Sequence, residues 1–181
     1  MFLLDAAGTD PKVAGQFAIG AYGGSLGYAQ KTAASGAVLD DINGVSKGYL
    51  GIGLDEYGNF AAASEGRIGG YPTTTNGSTS TTALVPQSVT LRGPGTGITG
   101  YEYLTSSDAL PFSLSVATAR AQAGDADYRK AYIYVLRNGA NYTVTVKIQH
   151  GNAVTTTTNA YPISTPPANL RIGFAASTGA Y

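Results

Sequence analysis

Cysteine is missing from the 181 residues, which excludes disulfide staples, thiolate zinc sites and a cysteine nucleophile. Tryptophan is missing as well, so the chain has no indole on which a sugar ring could stack. Histidine occurs once, at His150. A serine triad would have to take its base from that single imidazole, and no nucleophile elbow marks a serine for it. Charge is scarce and balanced: 12% of residues are charged, Lys+Arg 11 against Asp+Glu 11, and neither sign is concentrated in any segment. Nothing here draws a phosphate backbone or an anionic membrane, so nucleic acid is not an expected partner. No apolar run approaches the roughly 20 residues that span a bilayer, so membrane insertion is not expected. The opening MFLLDAAG lacks the basic and long apolar regions of a signal peptide and reads as a strand; an export signal is expected to lie outside this chain.

What is present points one way. Gly 25 and Tyr 13 suit a turn-rich, β-rich extracellular domain. No window sustains the three-four periodicity of a helix, so the class is all-β, and the length suits one domain, 1–181. The clearest strands are Tyr128–Arg137 and Asn141–Gln149, with Asn138-Gly139 as the hairpin turn between them. The first is apolar on both faces and is expected nearer the centre of its sheet; the second alternates Tyr142, Val144, Val146 and Ile148 with polar residues. Further strands are expected at Gln16–Ala21, Tyr49–Leu54, Ser88–Arg92, Tyr101–Thr105, Phe112–Ala117 and Leu170–Ala175. Thr73–Thr82 reads as a polar loop, and Thr155–Asn159 as a polar stretch or an exposed edge strand.

The stretch Gly51–Phe60, GIGLDEYGNF, is the most informative. A strand that alternates bulk with glycine runs into Asp55, Tyr57 and Asn59 at every second position, and residues at spacing two share a side of an extended chain. Oxygens gathered in this way suit a hard cation or a sugar; they also suit a turn whose side chains cap their own amides. Glycoside hydrolysis needs two carboxylates about 5–9.5 Å apart. Asp55 and Glu56 are adjacent and face opposite sides, while Asp125 and Asp127 sit in a glycine-bearing turn. Catalysis is therefore not expected.

Four segments carry a resemblance in their order and spacing: FLLDA at Phe2–Ala6, YGGSLGYA at Tyr22–Ala29, GIGLDEYGNF at Gly51–Phe60 and LRIGFAASTG at Leu170–Gly179. Together they resemble the legume-type (L-type) lectin family in its bacterial branch. The resemblance implies a concanavalin-like jelly roll, an antiparallel β-sandwich, and non-catalytic binding of a carbohydrate or glycoconjugate. It implies sugar contacts from the Gly24 amide and the Asn59 side chain, with Ser25 and Tyr57 beside them. It also implies calcium, held by Asp55, the Tyr57 carbonyl and Asn59, with Glu65 the nearest carboxylate to the family's second loop aspartate. No manganese site is expected, because Gly53 stands where the family has a glutamate ligand.

The family's sugar-gripping loop aspartate would fall before Phe2. The domain is therefore expected to be partial, lacking first strands and a last strand, with flanking domains or another subunit completing the sheets. The expected role is an adhesin-like module of a bacterial surface or secreted protein. The alternative is a structural or protein-contact sandwich that has lost sugar and metal binding.

Overall fold

The structure is a computed structural model that describes residues 1–118 and 120–177. Thr178 and Gly179, the end of the last motif above, lie outside the described residues. The strands are β1 (Phe2–Asp5), β2 (Gly48–Asp55), β3 (Thr73–Thr75), β4 (Ser78–Ser80), β5 (Ser88–Arg92), β6 (Gly95–Thr96), β7 (Thr99–Gly100), β8 (Tyr103–Ser106), β9 (Arg129–Asn138), β10 (Asn141–His150), β11 (Ala153–Ile163) and β12 (Leu170–Gly173). Helix among the described residues is confined to two short 3-10 turns, Gly23–Ser25 and Ala33–Ser35. The larger sheet runs β12-β1-β2-β5-β8, with the β6–β7 ribbon attached to β2; the smaller runs β11-β10-β9. Every ladder is antiparallel.

The two sheets form a β-sandwich. Leu3, Leu50, Ile52, Val89 and Leu91 of the larger sheet meet Val144, Val146 and Ile148 of the smaller in one buried cluster. This explains the bulky half of the β2 alternation, because Leu50 and Ile52 face the dry interior.

The glycine half explains the other face. A Cβ on Gly51 would stand 2.4 Å from the Tyr28 ring, and one on Gly53 would stand 2.2 Å from the Phe60 ring. The glycines thus make a bare strip against which the Tyr28 and Phe60 rings pack, inclined to each other by 73°. Those rings belong to a second core of Phe2, Leu4, Tyr28, Ala29, Val45, Phe60 and Tyr101, which ties the long loops over the sheet. Tyr28 and Tyr101 meet edge to face at 5.3 Å, and their buried hydroxyls donate to the Gly93 and Val45 carbonyls, each at 2.7 Å.

Several expectations need correction. Gln16–Ala21 is not a strand; Gly20 and Ala21 donate instead to Gly27 and Ala29, closing the glycine loop on itself. Phe112–Ala117 is also irregular, and Phe112 stacks on His150 at 3.8 Å. The hairpin turn is Gly139-Ala140, one residue later than expected, because Asn138 pairs with Asn141. β9 lies at an edge, and β10 is the central strand; the outward residues Tyr134 and Leu136 of β9 stay exposed. The polar segment 73–82 contains the β3–β4 hairpin, which lies almost wholly in solvent, and Thr155–Asn159 belongs to the edge strand β11.

Candidate functional site

β2 delivers Asp55 to the end of the sheet, where the aspartate is buried and folds the loop that follows. Its Oδ1 accepts the Tyr57 N–H at 3.1 Å, and its Oδ2 accepts the Phe60 N–H at 2.6 Å. Both oxygens are thus used in capping a turn. The turn sends the Phe60 ring inward onto Gly53 and leaves Tyr57 66% exposed.

Asn59 lies between these residues and is half-buried against the glycine loop. A Cβ on Gly24 would stand 2.5 Å from the Asn59 Cβ, 3.0 Å from its Cγ and 3.1 Å from Arg67 Nη1. Only glycine permits this approach. The 3-10 turn Gly23–Ser25 carries Gly24 near its start, where backbone amides have no acceptor within the turn. On its outer side Tyr22 is 57% exposed, with the Lys31 ammonium 4.5 Å above its ring centre.

Beneath the contact lies a charged cluster. Glu65 bridges Lys31 at 2.8 Å and Arg67 at 2.5 Å. Arg67 is buried; its Nε donates to the Ala62 carbonyl at 3.2 Å, Nη1 to Ser25 Oγ at 3.1 Å and Nη2 to Ser64 Oγ at 2.7 Å. Burial works to raise the Glu65 pKa, but hydrogen bonds from Lys31 and Arg67 outweigh it and hold the carboxyl below its ordinary value. Burial lowers the Arg67 pKa, opposed by Glu65 and, more weakly, by the Asp55 charge.

The structure therefore gathers Gly24, Ser25, Asn59 and Glu65 around Arg67, with Asp55 close enough for its charge to be felt there. Their roles differ from the expectation. The Ser25 hydroxyl is fully buried and spans the Gln30 carbonyl and Arg67, so it braces the loop and does not face a ligand. Glu65 is neutralised by two cations, and Asp55 is occupied by two amides. As placed, these residues are a poor fit for a calcium ion, because Glu65 is shared by two cations and an ion beside it would face the Arg67 charge. Among the described residues no group of three or more His, Cys, Asp and Glu side chains could hold a metal. The Phe60 ring fills the space beside Gly53 that any side chain there would need.

Lys31 and Arg92 are the participants that the sequence reading missed. Arg92 had a legible signal: in SVTLR the alternation sends Val89 and Leu91 into the sandwich core, and so Arg92 to the opposite face. A groove of ≈ 1040 Å³ runs beside the site, lined by Leu26, Asp55, Tyr57, Ile172 and Phe174 among others.

Comparison with protein-family models, with curated proteins and with solved structures finds no match. Among the described residues no helix is long and apolar enough to cross a membrane.

Proposed function

We propose that this protein binds carbohydrate without transforming it, as an adhesin-like module at a cell surface or outside the cell, on a jelly-roll sandwich of lectin type. The observation that carries the reading is the direct contact of Gly24 with Asn59. Two remote segments, both picked out by resemblance, meet there, and each has an exposed tyrosine two residues away in sequence, Tyr22 and Tyr57. In this reading the Gly24 amide donates to a sugar hydroxyl, and the Asn59 carboxamide donates to one hydroxyl and accepts from another. A tyrosine ring covers the apolar face of the pyranose. With no tryptophan in the sequence, affinity for a single sugar is weak, and useful binding comes from multivalent display.

The test is a glycan array run in calcium and in chelator, with wild-type protein and Asn59→Ala. Retention of a defined set of glycans by wild type, lost in the variant, supports the reading. Absence of retained glycan under both conditions overturns it.

A second reading, a protein-contact module without a sugar site, is favoured by the apolar row on β12 and the segment after it. Ile172 and Phe174 point to one side and are exposed, Phe174 by 78%. That reading predicts association through this face and a silent array.

A further inference from the structure

A calcium ion orders a loop by collecting carbonyl and carboxylate oxygens that would otherwise repel one another. In this protein guanidinium groups collect the oxygens of the neighbouring loop, most of them backbone carbonyls. Arg92 is 0% exposed and has no carboxylate partner among the described residues. All five of its N–H groups donate to backbone carbonyls: Nε to Phe60 at 2.9 Å, Nη1 to Ile68 and Tyr101 at 3.0 Å each, and Nη2 to Ala62 at 3.1 Å and Gly69 at 3.2 Å. Four of those carbonyls lie in the segment 60–69, which connects Asn59 to Glu65 and Arg67.

Arg67 continues the arrangement. Its Nε shares the Ala62 carbonyl with Arg92, and its remaining donors reach Ser25, Ser64 and Glu65. The two cations are therefore linked through one carbonyl. They span from β5, beneath the loop, to the 3-10 turn that carries Gly24. Burial, with the neighbouring Arg67 charge behind it, brings the Arg92 pKa down to about 9, so the group is still cationic at neutral pH.

We infer that Arg67 and Arg92 are positioning residues that take the place of a metal ion: built-in guanidinium groups hold the 60–69 segment, and through it the Gly24–Asn59 contact, in order without calcium. The inference rests on the carbohydrate reading only for what the ordered rim is used for; the ordering itself is measured without sugar.

The experiment is hydrogen exchange by mass spectrometry on the whole chain in calcium chloride and in EGTA, followed by the glycan array under the same two conditions. For wild type, amides in 57–69 are expected to exchange at rates within about twofold of each other in the two buffers. Arg67→Gln is expected to exchange there about tenfold faster or more, with β9 and β10 unchanged as the sign that the sandwich is folded; Arg67→Lys, which keeps the charge, recovers part of the protection. Calcium that slows wild-type exchange in 57–69 by about tenfold or more overturns the inference, and so does an Arg67→Gln variant with wild-type exchange in both buffers. Should the Arg67→Gln variant not fold, the wild-type comparison decides alone. The expected exchange pattern with a silent array leaves the arginine assignment standing and removes the carbohydrate reading. Glycan retention only in calcium does the reverse.

Discussion

At the residue scale the account depends on the missing Cβ of Gly24. Gly24→Ala puts a methyl group 2.5 Å from the Asn59 Cβ, so one loop has to move away from the other. The expected result is loss of glycan retention on the array by about tenfold or more, at a stability cost of about 1–3 kcal/mol by urea titration. Glu65 gives a pH signature. Its pKa is lower in the folded protein than the ordinary 4.5, so the folded state binds that proton less readily than the unfolded chain. The resulting stabilisation is present above the ordinary carboxylate value and is lost as pH falls through the folded value. Urea midpoints measured downward from pH 6 should show this loss, and Glu65→Gln should show a shallower slope over the same window. Asp55 and Asn59 were legible together because their spacing is local, whereas Gly24 was joined to them only through the resemblance. The inward turn of Ser25 was not legible, since it depends on Arg67, which comes from a distant stretch of chain.

At the element scale β2 is the part that the sequence describes best. Alternation of bulk with glycine predicted a strand, and the structure adds why glycine is used: Tyr28 and Phe60 occupy the volume that side chains at 51 and 53 would take. Gly53→Ala should therefore cost about 1–3 kcal/mol by forcing the Phe60 ring off the sheet, read as a lowered urea midpoint. Arg92→Met removes five donors from buried carbonyls at once, and the expected loss is about 3 kcal/mol or more by the same measurement. Elements whose partners are local, such as the β9–β10 hairpin, were readable to within a residue. Gln16–Ala21 was misread because β-prone residues in a loop can satisfy their backbone against a neighbouring turn instead of a ladder. β9 was misplaced for a different reason: an apolar strand is expected to be covered on both sides, and here its outer face is left open to solvent.

At the scale of the molecule, three layers are stacked: the smaller sheet, the larger sheet and a cap of loops closed by aromatic rings and two arginines. The all-β class was legible from composition and turn spacing, which left sandwich and barrel both open; the choice of a sandwich came from the resemblance. The cap was not legible, because no periodicity records that a face of a sheet will be roofed by irregular chain. The exposed row of Ile172 and Phe174 contributes little to this stack, so serine at both positions should change stability by no more than about 0.5 kcal/mol, read as a nearly unmoved urea midpoint. The most direct test of the central claim is an amide NMR titration of the wild-type chain in EGTA with a glycan retained on the array. The account predicts that the amide signals of Gly24, Tyr57 and Asn59 move together and saturate at a common concentration. Saturating shifts confined to β9, β12 or the groove beside Phe174, with Gly24 and Asn59 unmoved, would contradict it.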